Sequence, residues 1–267
     1  MGIVNVTPDS FSDGGRFLGA EAAIAQALRL LEDGADILDI GGESTRPGAE
    51  PIPAEIEIGR ILPVVQAIRR GSRAAISVDT MKPQVMRAAV SAGADIWNDV
   101  TALGYAPESP AVAAELGCDV ILMHMRGEPG TMQLNPVYAD VVGEVAAFLA
   151  ARADAAMAAG VRREAIWIDP GIGFGKTLEH NLDLLARLDC IIDLGFRTVL
   201  GVSRKRFLRA IDPAAVEASD RLGGSIAGAL VGAQAGIDAV RVHDVRETAQ
   251  ALSLWSAVSA AHPAAGP

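Results

Sequence analysis

The chain has 267 residues, half of them apolar, with a formal charge of −10 and a pI near 4.9. That length suits a single domain spanning residues 1–267, and the acidic balance argues against a nucleic-acid or anionic-membrane surface, either of which needs a basic field. The start, Met1-Gly2-Ile3-Val4-Asn5-Val6, runs at once into the turn-forming Thr7-Pro8-Asp9-Ser10, unlike a signal peptide, and no apolar run reaches the roughly 18–20 residues of a membrane span. Cys118 and Cys190 offer neither metal-ligand spacing nor a disulfide framework, so both are expected to be buried, inert thiols in a reducing cytoplasm.

Short β-branched or apolar runs at 3–6, 37–40, 75–78, 96–100, 120–123, 166–168, 198–202 and 239–242 predict eight strands. Ala-rich stretches with helical periodicity lie between most of them, at 20–33, 55–70, 82–92, 137–159 and 221–235. Parallel strands need crossover helices, and eight such units in this length favour a closed (β/α)₈ TIM barrel over an open doubly wound sheet. Gly34, Gly93, Gly117 and Gly236 each end a predicted helix, where glycine takes the left-handed conformation at little cost. Residues 260–267 are expected to form a frayed tail, and Trp97, Trp167 and Trp255 are read as core.

In a closed barrel the active site lies at the C-terminal ends of the strands, and here almost every strand ends in polar residues. The series is Asn5 and Thr7, Asp39 with Glu43, Ser77 and Asp79, Asn98, His124, Asp169, Ser203 with Lys205, and Arg241 with His243. Taken singly, such a residue reads as a helix N-cap, and Ser44, Thr80 and Thr101 are read that way. A full ring is harder to dismiss, because an unpaired buried polar group costs about 1–3 kcal/mol. Asp79, Asn98 and Asp169 offer acceptors for a flat heterocycle bearing N–H donors. Arg46, from the loop after the second strand, and Arg204, Lys205, Arg241 and His243, from the seventh and eighth, offer positive charge, and the latter two strands commonly hold phosphate in this fold. The run Gly171-Ile172-Gly173-Phe174-Gly175-Lys176-Thr177 ends like a nucleotide-binding P-loop, but Pro170 stands where that motif needs its first glycine. It reads better as a loop whose backbone approaches a planar ligand, with Phe174 as a wall.

Taken together the segments resemble dihydropteroate synthases. The matching stretches are Asn5-Val6-Thr7-Pro8-Asp9-Ser10-Phe11-Ser12-Asp13-Gly14-Gly15, Asp39-Ile40-Gly41-Gly42-Glu43-Ser44-Thr45-Arg46-Pro47-Gly48, Ser77-Val78-Asp79-Thr80 and Asn98-Asp99-Val100. They continue through Met123-His124-Met125, Asp169-Pro170-Gly171-Ile172-Gly173-Phe174-Gly175-Lys176, Ser203-Arg204-Lys205 and Arg241-Val242-His243-Asp244. The first two are long enough to be nearly diagnostic. Family members usually carry a short segment ahead of the first strand, so the resemblance implies residues upstream of Met1.

The resemblance implies a reaction in which para-aminobenzoate displaces pyrophosphate from a hydroxymethyl-dihydropterin pyrophosphate. It implies Mg²⁺ held by Asn5, and a diphosphate held by Asn5, Thr45, Arg46, Arg241 and His243. Asp79, Asn98, Met123, Asp169, Phe174, Gly201 and Lys205 would hold the pterin. Thr45, Arg46, Pro47, Phe174, Ser203 and Lys205 would frame the para-aminobenzoate pocket, which sulfonamides occupy in the family. Asp13, Asp79 and Lys205 would take part in catalysis, with Asp13 carried by one of two covering loops, 7–17 and 44–51, to the reacting methylene. A cytoplasmic homodimer joined through outer helices is implied as well. Two other readings compete: a methyltetrahydrofolate-binding methyltransferase barrel, which has no pyrophosphate to hold, and a non-catalytic pterin-binding paralogue.

Overall fold

The computed structural model describes residues 1–6, 16–44, 50–128 and 130–261, with side chains on the first helix described from residue 19. Eight parallel strands pair in chain order: β1 (Gly2–Asn5), β2 (Ile37–Gly41), β3 (Ala75–Asp79), β4 (Ile96–Asp99), β5 (Asp119–Met123), β6 (Ile166–Asp169), β7 (Arg197–Leu200) and β8 (Ala239–Val240). The ring closes between its last and first strands: the Ile3 N–H donates to the Val242 carbonyl at 3.0 Å and the Val242 N–H to the Met1 carbonyl at 2.9 Å. The expected (β/α)₈ barrel is therefore present.

Around it lie α1 (Arg16–Glu32), α2 (Ala54–Gly71), α3 (Pro83–Ser91), α4 (Ser109–Leu116), α5 (Val141–Ala158), α6 (Leu178–Ala186), α7 (Asp189–Ile192), α8 (Phe207–Ile211), α9 (Leu222–Ala235) and α10 (Val245–Ala261). The glycines read as helix stops behave so, since Gly34, Gly93, Gly117 and Gly236 all have positive φ, between 64° and 108°. Helix α10 runs to Ala261, into the stretch expected to fray, and residues 262–267 lie outside the described ones. No helix among the described residues is long and apolar enough to cross a membrane.

Successive side chains on a strand face opposite ways, and this alternation splits the apolar residues into two separate clusters. Val4, Leu38, Ile40, Ile76, Val78, Trp97, Val120, Leu122, Ile166 and Ile168 face outward and pack with the helices. Met1, Ile96, Ile121, Trp167 and Val199, with Ile37, Ala75 and Ala239, fill the N-terminal half of the barrel's inside. Above that apolar floor the inward positions turn polar. Asp39 and Ser77 are wholly buried there, and Asn98 and Asp169 nearly so. A cavity of about 500 Å³ opens at the N-terminal face beside Trp167 and Arg197, at the end of the barrel opposite the polar half.

The expectation for the cysteines holds for one of them only. Cys118 is buried, and burial pushes its thiol up to about 11, whereas Cys190 on the short α7 is exposed. A four-residue helix has too little apolar face to cover every side chain it carries.

Candidate active site

The parallel register aligns inward-facing residues across the barrel. Asn5 pairs with Gly41, Gly41 with Asp79, and Asp79 with Asn98, so three polar side chains stand on one rung with a gap at the glycine. A Cβ built on Gly41 would lie 3.8 Å from both Asn5 Oδ1 and Asp79 Cβ. Glycine at this position keeps open the space that Asn5 and Asp79 share. On the far wall, Met123 pairs with Asp169. A Cβ on Gly201 would lie 3.9 Å from Asp169 Oδ2 and 4.0 Å from Arg241 Cβ, so Gly201 opens the matching gap between those two. Its replacement by alanine makes only ordinary contacts with the protein. We expect Gly201→Ala to leave thermal stability within about 0.5 kcal/mol of wild type while filling the gap beside Asp169, read by a melting curve.

The charges on the rung meet at Arg241. Its Nε donates to Asp39 Oδ2 at 2.6 Å and its Nη2 to Asp79 Oδ2 at 2.8 Å. Asp39 also accepts from Ser77 Oγ at 2.6 Å and from Asn98 Nδ2 at 3.3 Å. Because its amide nitrogen is committed to Asp39, Asn98 presents its carbonyl oxygen as an acceptor. Burial pulls the Arg241 guanidinium down, but the two carboxylates outweigh it and hold the group above its ordinary value. Burial also pushes Asp79 up to about 7, with Arg241 opposing the shift and Asp39 adding to it. Asp79 Oδ1 is buried and has no hydrogen-bond partner among the described residues. Such an orphan costs about 1–3 kcal/mol, which a ligand donor would recover.

From the other side of the barrel come Asp169 and Lys205. Asp169 Oδ1 accepts from the Gly171 N–H at 2.7 Å, and burial raises its pKa. Lys205 is half-buried, its Nζ sits 4.0 Å from the centre of the Phe174 ring, and burial brings it down to about 8 against the pull of Asp169. At the end of β7, Ser203 Oγ lies 3.0 Å from His243 Nδ1 and accepts from the His243 N–H at 3.1 Å. The half-barrel beneath therefore carries acceptors and cations together, all on chain ends that the barrel brings to one rim.

Asn5, Asp79, Asn98, Met123, Asp169, Phe174, Gly201, Ser203, Lys205, Arg241 and His243 thus gather at the C-terminal rim. Asp13, Thr45, Arg46 and Pro47, with Thr7, lie outside the described residues. Arg204, read as positive charge for the ring, instead holds Asp244 through two hydrogen bonds of 2.9 and 2.5 Å, from a backbone with φ of 59°. Asp244, 40 positions along the chain and just ahead of α10, takes that charge. The buried Asp99, adjacent to Asn98 but facing the helices, accepts from the N–H groups of Thr101 and Leu103. It fastens a turn in which Ala102 and Leu103 hold φ values of 53° and 61°, and Thr101 belongs to that turn rather than capping a helix. Sequence placed Asp39 in the ring without a role; its position two residues before Gly41 on an inward face was the signal that it would be a hub.

The fold and this rim define a small-molecule enzyme of the barrel class, with its chemistry at the C-terminal ends of the strands. The family model for pterin binding enzymes matches residues 1–243. A curated dihydropteroate synthase of Haemophilus influenzae is 44% identical over 97% of this chain and 93% of its own length. A solved Xanthomonas albilineans dihydropteroate synthase with 4-aminobenzoic acid superposes with a TM-score of 0.91 at 48% identity, covering all of this chain and 93% of that one. A second structure of that organism's enzyme, in complex with 7,8-dihydropteroate, matches with a TM-score of 0.87 at 45% identity, over 100% of this chain and 94% of that one. The chain belongs to the pterin binding enzyme family and, within it, to the dihydropteroate synthases.

Proposed function

We propose that the chain joins hydroxymethyl-dihydropterin pyrophosphate to para-aminobenzoate, releasing dihydropteroate and pyrophosphate. The observation that carries this reading is the unpartnered Asp79 Oδ1, buried beside Asn98 with Asp169 on the opposite wall, and near two cations, Arg241 and Lys205. Three acceptors in a half-barrel suit the amino-pyrimidine edge of a pterin. Arg241 and His243 above them suit the diphosphate at its other end. Phe174, Ser203 and Lys205, with Thr45, Arg46 and Pro47 of the loop after β2, would frame the amine.

In the reaction the methylene C–O bond breaks with its electron pair leaving on pyrophosphate, a C–N bond forms, and the aromatic amine loses a proton. The amine is a weak nucleophile, so the protein must act on the leaving group through fixed charge rather than through a covalent intermediate. Asp13, from the loop after β1, would stabilise positive charge at the methylene. Asn5 fits a Mg²⁺ ion: its amide oxygen is a hard donor at the open rim, and this ion commonly takes few protein ligands and keeps substrate phosphates and waters for the rest. When bound, the metal supplies neutralisation of the departing diphosphate charge.

A homodimer in the cytoplasm belongs to the same reading. Val231 on α9 and Leu254 and Val258 on α10 are exposed large apolar residues on neighbouring outer helices, as a self-associating face would carry.

The test is pyrophosphate release from the dihydropterin pyrophosphate with Mg²⁺, with and without para-aminobenzoate. Release that requires the amine is the expected result. Pterin binding with no release under any condition would make this a non-catalytic paralogue. The Lys205 ammonium gives a pH signature. Lowered to about 8 in the free protein, it should give charge-assisted hydrogen bonds to pterin acceptors below that pH and only weaker, neutral ones above it. Pterin affinity is expected to fall as pH rises through about 8, and the Lys205→Gln variant, measured over the same range, to lose that dependence.

A further inference from the structure

One buried lysine is used by none of these steps. Lys176 is 3% exposed, and its Nζ donates to the carbonyls of Gly171 at 2.9 Å and Phe174 at 3.0 Å, and to that of His124 at 3.4 Å. It also lies 2.9 Å from His124 Nδ1. Burial, reinforced by the charge of Lys176, brings His124 down to about 3, so its ring is neutral and Nδ1 accepts. All four acceptors are uncharged and share the three N–H groups of an ammonium, and burial, opposed by the charge of Asp169, lowers Lys176 to about 7. An ammonium buried this way costs free energy that an apolar side chain of similar length would avoid.

What the lysine joins accounts for its presence. The turn it spans contains Gly171, Gly173 and Gly175, with φ of 65°, 82° and 62°. Three left-handed glycines give a path with large freedom when unfolded, which only outside contacts can fix. A side chain at Gly171 would overlap the His124 carbonyl and one at Gly175 the Arg126 carbonyl, so the turn presses directly on the end of β5. Its upstream end holds Asp169 through the Gly171 N–H, and its middle carries the Phe174 ring that faces Lys205. Lys176 grips both of those points by their carbonyls and ties them to His124, whose ring is itself held edge-on by Phe148 at 4.9 Å.

We propose that Lys176 is a positioning residue for the pterin pocket: by fastening the turn at 171–174 to the end of β5, it sets Asp169 and Phe174 where the bound ring meets them. The inference rests on the pterin reading of the site given above.

The test compares Lys176→Met, which keeps the stem and removes every donor, with Lys176→Gln, which restores two amide N–H groups. Affinity for the dihydropterin pyrophosphate with Mg²⁺ is measured by calorimetry on the full chain, and amide hydrogen exchange by mass spectrometry. In the methionine variant the Kd is expected to rise about 10–100-fold, with faster exchange at 171–175 and none at β2 or β3. The glutamine variant should recover a large part of the affinity. A Kd within twofold of wild type in the methionine variant, or equal losses in both variants, would overturn the proposal, as would faster exchange spread through the barrel with affinity intact. Should the methionine variant not fold, the glutamine change is placed on a Phe174→Ala background. There it should cost less affinity than in wild type, and an equal cost contradicts positioning through the turn. Wild-type protein that releases no pyrophosphate defeats the functional reading itself, whereas normal wild-type turnover with unperturbed binding in the variants defeats this inference alone.

Discussion

Replacing Arg241 with methionine is expected to lower folding stability by about 3–5 kcal/mol, because it strands two buried carboxylates that its guanidinium now neutralises. Asp39 is wholly buried and the Asp79 side chain is 11% exposed, so little water reaches either to compensate. Turnover should fall by at least about 10²-fold as well, since the same cation is assigned to the leaving diphosphate. The loss carries a pH signature whose sign follows from Asp79. In the folded wild type its carboxyl is raised from 3.8 to about 7, chiefly by burial. Between those pH values the folded state binds more protons than the unfolded one, so this group's contribution to stability falls as pH rises. Arg241 opposes the shift, so its removal extends that decline to higher pH. Urea unfolding at pH 5 and pH 8 should therefore show a larger deficit for Arg241→Met at pH 8. A deficit that is equal at both, or larger at pH 5, would mean that Asp79 does not feel Arg241 as the geometry requires.

Asp169→Asn is the second change with a large expected effect, about 2–3 kcal/mol or roughly 30–150-fold in pterin affinity. The substitution separates the two oxygens of Asp169. An asparagine can keep its carbonyl on the Gly171 N–H, which Oδ1 now accepts at 2.7 Å. Its NH₂ group then stands at Oδ2, the oxygen facing the gap at Gly201. A donor replaces an acceptor at the point where the ring is expected to offer N–H groups. Calorimetric titration with the dihydropterin pyrophosphate checks this, and unchanged affinity would remove Asp169 from the pocket while leaving it a support for the turn.

Much of the architecture could be read from residue order alone, for identifiable reasons. Inward and outward faces of each strand are both apolar low in the barrel, so runs such as 37–40 and 120–123 stand out from their Ala-rich neighbours. The glycine stops at 34, 93, 117 and 236 mark helix ends because only a left-handed residue fits there. Strand ends were less legible: β8 is assigned to Ala239–Val240, yet the Arg241 N–H still donates to the Leu200 carbonyl at 2.9 Å and Val242 bonds to β1. The polar ring was visible as a list of types, but its pairing was not. Nothing in the local sequence says that Arg241 reaches across to Asp39, 202 positions away, or that Arg204 is claimed by Asp244 instead of by the ring. Those choices are set by barrel closure, which brings β8 beside β1 and, across the lumen, within reach of β2 and β3. Lys176 was misleading for the opposite reason. Its motif looked like a phosphate loop, and spacing ruled that out, but only the three-dimensional turn reveals that its charge is spent on carbonyls of its own loop.

In the proposed complex one rim of the barrel grips a bicyclic head with Asp79, Asn98 and Asp169 and a diphosphate tail with Arg241 and His243. A crystal structure with the dihydropterin pyrophosphate and Mg²⁺ measures this directly. The expected result is a ring N–H donating to Asp79 Oδ1, the amino-pyrimidine edge against Asp169 and Asn98, and phosphate oxygens beside His243. A ligand seated anywhere else, with Asp79 Oδ1 still unpartnered, would contradict it.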